Sequence, residues 1–222
     1  EKFYRDFLFP YTKENDIKVI YQLGDLFDRR KFVNFNTLAE CKRYFFDYLH
    51  QNGIQLITLL GNHDIFWKES LAVNAQSLIL GEYDNVTVID KPTRMHEDNA
   101  SIDLIPWICK ENEDEVFRYI DNSKSDLCCG HFEIQGFEMY KGSMVSHGES
   151  RKIFDKFDIT LSGHYHHRSN DGCIFYLGSH AQFTWSDYND DRGFHSFNTK
   201  TRDLTFIENP FRMFEKIFYN DG

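Results

Sequence analysis

IQLITLLGNHD, residues 54–64, is a short, largely apolar run that stops at Gly61 and leaves Asn62, His63 and Asp64 at its end. A run of that length closed by glycine suits a strand buried on both faces, the kind found in parallel sheets. IKVIYQLGDLFD (17–28) has the same build, with Asp25 and Asp28 after Gly24. DLCCGHFE (126–133) and DITLSGHYHH (158–167) repeat it with His131 and His164. Four predicted strands thus each carry glycine followed by Asp, Asn or His at the C-terminal end. In open α/β sheets that edge is where ligands collect, and glycine lets the backbone turn sharply and approach a ligand closely. Carboxylate, amide oxygen and imidazole together suit borderline divalent ions such as Mn, Fe or Zn.

The rest of the chain alternates helix and strand. EKFYRDFLFPYTKEND (1–16) reads as a helix. NTLAECKRYFFDYLHQNG (36–53) reads as another, capped by Asn36 or Thr37, with Glu40 at capping-box distance from Thr37 and Gly53 at its close. A helix is predicted near 70–80 and a further one over 112–122, with short strands at 86–90 and 101–105. CIFYLGS (173–179), GFHSFN (193–198) and LTFIE (204–208) are late strands. Strands dominating late favour an α/β class: a layered α/β/β/α sandwich of mixed sheets, with antiparallel strands gathering toward the C-terminus. Residues 1–208 are expected to form the domain, and NPFRMFEKIFYNDG (209–222) a closing helix or the start of a linker or C-terminal extension.

At 222 residues the chain is long enough for one α/β domain with a real core. Its formal charge of −10 argues against nucleic-acid binding by bulk electrostatics. It leaves room for an enzyme that holds phosphate through bound cations and a local basic stripe, for which DRRK (Arg29, Arg30, Lys31), CKR (Lys42, Arg43) and ESRK (Arg151, Lys152) are candidates against solvated surface charge. The cysteines (Cys41, Cys109, Cys128, Cys129, Cys173) are five and lack C-x-x-C spacing, which reads as reduced, buried thiols in a cytoplasmic protein. No signal peptide opens the chain and no apolar run spans a bilayer.

GDLFD, GNHD, GHF and GHYH in that order resemble the calcineurin-like metallophosphoesterase superfamily. LGDLFDRRK, LLGNHDIFWK, IDLIPW, CCGHFEIQGFEMYKG, SHG, LSGHYH and YLGSHAQFTWSD with RGF extend the likeness to SbcD-type DNA-repair nucleases, including the recombination endonuclease subunit of tailed phages, over about residues 1–210. The resemblance implies a metal-dependent DNA nuclease, exo or endo, working in recombination and double-strand-break repair. It implies two divalent ions, Mn first and Fe, Zn or Mg next. Asp25 would bridge them, with Asn62, His131 and His164 completing one ion's shell and His166 binding the other. His63 would sit over the scissile phosphate as general acid or charge stabiliser, Asp64 would orient His63, and Arg29 and Arg30 would contact substrate. An SbcC-type coiled-coil ATPase and a homodimer are the implied partners.

Two positions depart from that pattern. Relatives of this nuclease type carry His after GDLF, where this chain has Asp28. The superfamily's first motif, Asp-x-His after an initial strand, has no counterpart, because residues 1–24 contain no histidine. That first strand is therefore expected to be missing, with its motif in residues before Glu1. The competing readings are a phosphomonoesterase or nucleotidase of the same fold, and a metal-poor scaffold. Of the other histidines, His50 ends a helix, His96 lies in a loop, His180 and His195 fall in late strands, and His147 follows a loop; none is expected to ligate. In extended chain His164 and His166 share a face and His167 lies on the other. Phe66, Trp67 and Trp185 read as core, with base stacking as the minority reading.

Overall fold

In the computed structural model, which describes residues 1–219, the four strand–glycine junctions lie at the ends of two sheets packed face to face. A π turn, Tyr4–Leu8, continues as α1 (Phe9–Glu14) and leads to β1 (Val19–Gln22). Next come α2 (Phe35–Cys41), a π turn over Lys42–Phe46, α3 (Asp47–Gln51) and β2 (Gln55–Leu59). β3 (Ile65–Trp67) and β4 (Ser70–Asn74) form a hairpin, followed by α4 (Ala75–Ile79) and β5 (Val86–Ile89). β6 (Thr93–Glu97) and β7 (Ala100–Ile105) precede α5 (Glu113–Asn122) and β8 (Leu127–Gly130). A small hairpin of β9 (Glu138–Tyr140) and β10 (Ser143–Met144) separates β8 from β11 (Ile159–Ser162). β12 (Ser169–Asn170), β13 (Ile174–Tyr176), β14 (Gly193–Phe197) and β15 (Leu204–Glu208) complete the chain.

The first sheet, β1-β2-β5, is parallel throughout, with Ile20 opposite Leu56 and Ile57 opposite Thr87. The second runs β12-β13-β11-β8-β7-β6, parallel at its centre and antiparallel at both edges. Leu23, Ile57, Leu59 and Ile89 of the first sheet meet Ile102, Leu104, Leu127, Cys129 and Leu161 of the second in one core. On the outer faces, Phe45, Phe46 and Leu49 cover Leu56, and Val116 and Ile120 cover Cys128, Ile174 and Tyr176. This is the expected α/β/β/α layering, with mixed strand direction confined to the second sheet. Strands buried on both faces explain why their sequences are apolar without alternation; each fully buried Leu or Ile contributes roughly 1.5–3 kcal/mol.

Several local expectations are corrected. α2 is capped by Asn34, whose side chain accepts from Asn36 N (3.0 Å) and Thr37 N (3.1 Å), so neither Asn36 nor Thr37 is the cap. Extended backbone at Asn34 gives its short amide the reach to those N–H groups. Glu40 pairs instead with Arg43, while Gly53 closes α3 at φ 65° as expected. The predicted helix near 70–80 is strand up to Asn74, which then caps the short α4 by accepting from Ser77 N. His96 lies in β6, and His180 lies outside any strand. Over 209–219 no helix forms: the N–H groups of Phe211, Met213 and Phe214 go to the side chains of Asn209 and Gln182, which replace helical acceptors. The final residues, 220–222, lie outside the described residues. Phe66, Trp67 and Trp185 are 37%, 54% and 62% exposed, hence surface and not core. Among the thiols, Cys109, Cys128 and Cys129 are buried, but Cys173 is exposed. No helix among the described residues is long and apolar enough to cross a membrane.

Candidate metal centre

β1 and β2 belong to one sheet, β8 and β11 to the other, and their C-terminal ends converge at the seam between the sheets. There Asp25, His131 and His164 bring one ligand atom each to within 4.8 Å of one another. Asn62 joins them, its Oδ1 lying 3.1 Å from both His131 Nε2 and His164 Nδ1. The two ring nitrogens are themselves 3.2 Å apart, and His131 Nε2 is 3.3 Å from Asp25 Oδ2. Trp107 leans against both imidazoles, with ring centroids 5.9 Å from His131 and 5.3 Å from His164.

The backbone makes this crowding possible. A Cβ on Gly24 would lie 2.2 Å from His131 Nδ1, and one on Gly61 would lie 2.3 Å from Asp25 N and Oδ1. Glycine at 24 lets the first sheet close on His131 of the second, and glycine at 61 lets the β2 loop close on Asp25 within the first sheet. Asp25 and His164 hold left-handed backbone, φ 56° and 81°. Such conformations in non-glycine residues cost of order 1–3 kcal/mol and persist where the surroundings enforce them. The left-handed turn also corrects the reading of 164–167 as extended chain: His164 reaches the cluster by a turn, not by strand alternation. His167 points away, to Asp190 at 2.9 Å and Glu138 at 3.6 Å. His166 lies outside the three-residue cluster, its ring edge-on to Phe183 at 5.8 Å.

Asp64 is fully buried and accepts from Asp25 N (2.7 Å), Phe27 N (3.3 Å), Gly61 N (2.8 Å) and the Gln76 amide (2.8 Å). It therefore ties the GDLFD and GNHD loops together; the resemblance implied that it orients the His63 ring, but none of its hydrogen bonds reaches that ring. That ring is held through Nδ1 by the Asp28 carbonyl at 2.6 Å, while His63 N donates to Asp25 Oδ1 at 2.7 Å. Asp28 thus serves through its backbone, and its exposed carboxylate pairs with Arg29 at 3.5 Å. The Leu23 carbonyl accepts from His131 Nδ1 at 2.7 Å, and like Asp28 it acts through its backbone, so no side-chain pattern could have revealed either; Trp107 ends the IDLIPW motif but carries no donor that marks it for the site.

The electrostatics follow from burial and proximity. Burial opposes ionisation of Asp25, but the His131 charge and hydrogen bonds from His131 and His63 bring its carboxyl down to about 2. Burial likewise opposes charge on His131, and Asp25 and the Leu23 carbonyl overcome it and raise the imidazole. Asp64 is pushed up to about 6 by burial and by the charge of Asp25, against its N–H donors. Burial, then the His131 charge, pushes His164 down to about 3.

The remaining expected residues are scattered. Arg29 is exposed and lies over the Phe32 ring at 5.2 Å. Arg30 is half-buried, its Nη1 without a hydrogen-bond partner. Lys42, Arg43 and Arg151 pair with Glu82, Glu40 and Asp171, so these three of the seven candidate basic residues are paired locally. His147 pairs with Glu133 at 3.1 Å, and His180 packs on Phe3, Tyr4 and Phe183.

Comparison with known proteins places this geometry. The chain is 40% identical over 209 residues to exonuclease subunit 1 of Enterobacteria phage T4, an alignment covering 94% of this chain and 61% of that protein. The chain thus spans less than two thirds of its relative's length. Superposition on an archaeal phosphodiesterase gives a TM-score of 0.43 at 11% identity, covering 90% of this chain and 87% of that one. The model of the calcineurin-like phosphoesterases matches residues 2–168, a span that includes all four strand–glycine junctions and every donor of the cluster. On that match, the chain belongs to the calcineurin-like phosphoesterase family.

Proposed function

We propose that this chain is the phosphoesterase part of a metal-dependent DNA nuclease that hydrolyses phosphodiester bonds in recombination and double-strand-break repair. The observation that supports it best is the meeting of Asp25, Asn62, His131 and His164 at the seam of the two sheets, with His63 beside them. The identity with an exonuclease subunit runs along 94% of the chain and not only at the metal motifs. That favours a nuclease over a phosphomonoesterase or nucleotidase of the same fold, and over a metal-poor scaffold.

The donor set fits a divalent cation. His131 Nδ1–H donates to the Leu23 carbonyl at 2.7 Å, so Nε2 is the nitrogen that offers a lone pair to a cation once its proton is displaced. That lone pair faces Asp25 Oδ2 and Asn62 Oδ1, and lone pairs this close repel unless a cation or a proton lies among them. Carboxylate, amide and imidazole suit borderline divalent ions such as Mn, Fe or Zn, and among the candidate ions, Mg included, the resemblance to SbcD-type nucleases favours Mn. Asp25, Asn62, His131 and His164 would hold one ion, and Asp25 and His166 would contribute to a second. A bound pair of divalent ions would supply positive charge to the attacking and leaving oxygens of a phosphoryl displacement.

The chain's own residues do the rest. Asp64 fixes the Asp25 backbone, so the carboxylate keeps one orientation. His63, with Nδ1–H on the Asp28 carbonyl, presents Nε2, which in the imidazolium form would give its proton to the leaving oxygen or face developing negative charge. Arg29 and Arg30 contact the flanking phosphates. The relative's designation as a subunit supports work in a complex, and we place an SbcC-type coiled-coil ATPase and a second copy of the chain as its members.

The test compares linear duplex DNA with small chromogenic phosphodiesters and monoesters while Mn is titrated. DNA and diester cleavage dependent on Mn, and abolished in His63→Ala, is expected. Brisk monoester hydrolysis without DNA cleavage overturns the nuclease in favour of the phosphomonoesterase.

A further inference from the structure

A second buried polar network surrounds His166. Asp187 and Arg192 form an ion pair at 2.9 Å with both side chains buried. The other oxygen of Asp187 accepts from Phe183 N (2.8 Å) and Thr184 N (3.0 Å), closing a tight loop. Phe183 from that loop lies edge-on to the His166 ring. Arg192 also donates to Ser179 Oγ (3.1 Å), and Ser179 N donates to the His166 carbonyl (3.1 Å). His166 is therefore held on two sides, at its ring by Phe183 and at its carbonyl by Ser179.

The chain after β15 is tied into the same network. Buried Asn209 donates from its backbone to the Arg192 carbonyl (2.6 Å) and from its amide to the His180 carbonyl (2.7 Å). Buried Gln182 accepts from Met213 N (3.0 Å) and Phe214 N (3.2 Å) and donates to the Asp187 carbonyl (2.9 Å). The Phe214 ring lies 4.7 Å from Trp185, inside the loop that Asp187 closes. Residues 209–214 thus have no helix or sheet ladder of their own and are held by side-chain amides, the Asn209–Arg192 backbone bond, the Phe214–Trp185 contact and Lys2 over the Phe211 ring.

We infer that residues 209–214 are a strap that sets the position of His166, with Gln182 the positioning residue that joins strap to loop. With the strap docked, the loop 182–187 presses Phe183 on the imidazole. With it released, the loop loses its tie to Met213 and Phe214, and the ring is free to turn from the seam. A pull on the chain beyond Phe214 is then felt at the centre. The inference rests on the reading of His166 as a residue of the metal centre.

Magnetic resonance on the whole chain separates the two ideas. Fluorine spectra of fluorotryptophan-labelled protein resolve Trp185 from Trp67 and Trp107 and report strap docking. Ring resonances of His131, His164 and His166 report the centre. In Gln182→Ala the Trp185 line should shift as its ring contact with Phe214 is lost, and the His166 ring signals should shift and broaden while those of His131 and His164 stay. Phe214→Ser should do the same, and carries the test if Gln182→Ala does not fold. A released Trp185 with unchanged His166 overturns the inference, as does an unmoved Trp185 in both variants. Addition of Mn to the wild type should broaden all three histidines; if none broadens, the metal reading fails while the strap result is still read from the metal-free spectra.

Discussion

The donor cluster at the seam, its floor, and the neighbouring loop that carries His166, its rim, are anchored by different means. Asp25, Asn62, His131 and His164 sit within three residues of the ends of β1, β2, β8 and β11, and a single buried carboxylate, Asp64, ties two of those loops together. His166 stands a little farther along, on a loop fastened by residues spread from Ser179 to Phe214. The floor is thus an extension of the sheets, stiff because strands are stiff. The rim is a set of side-chain hydrogen bonds, each weak alone and dependent on the others. Position is inherited from the sheets in one case and negotiated among side chains in the other.

If the floor is anchored as described, Asp64→Ala is the most damaging change. It strands N–H donors on Asp25, Phe27, Gly61 and Gln76. Each buried unsatisfied group costs roughly 1–3 kcal/mol, so denaturant unfolding should show a loss above about 4 kcal/mol. A loss under about 2 kcal/mol would place the anchor elsewhere. The next effect is on the ion. His131→Ala should weaken Mn binding by about 100-fold or more in calorimetry, while His166→Ala costs roughly tenfold or less. Equal losses would erase the distinction between floor and rim.

The smallest effect is one of acidity in the rim. The half-buried His180 ring, among Phe3, Tyr4 and Phe183, is pushed by burial down to about 4. The unfolded chain takes up this proton near pH 6.5, the folded chain only near pH 4, so the ring removes stability as pH falls through that window. His180→Phe lacks the effect. Between pH 7 and pH 5 its melting temperature should gain on the wild type by roughly 2–4 °C, or about 1 kcal/mol. A constant gap across that range would mean that His180 does not titrate in this way.

The floor was legible in the sequence because its logic is local. An apolar run announces a buried strand, glycine announces its end, and the next one to three residues are placed by the strand itself. Asn62 and His131 need nothing more. His164 was found by the same rule, although its left-handed turn was not foreseen, since no residue type forces it. Asp64 was placed in the site but given the wrong partner. Its neighbours are backbone N–H groups from two loops, which side-chain identity does not encode. A helix expected near 70–80 gives way to strand over 70–74 because SLAVN followed by AQSLIL satisfies helical spacing about as well as strand alternation. The rim was least legible, because Gln182 and Asn209 matter only once β14 and β15 have brought the strap beside the loop.

The seam has a consequence for how the centre comes into being. Two of its donors ride on one sheet and two on the other, so neither sheet owns it. Strands advance about 3.3 Å per residue, and a slip of one sheet over the other by a single step would carry His131 from hydrogen-bond distance of Asn62 to well beyond reach. The cluster is in that sense a vernier on the stacking of the two sheets. A chain that had formed both sheets without docking them would possess every donor and no centre.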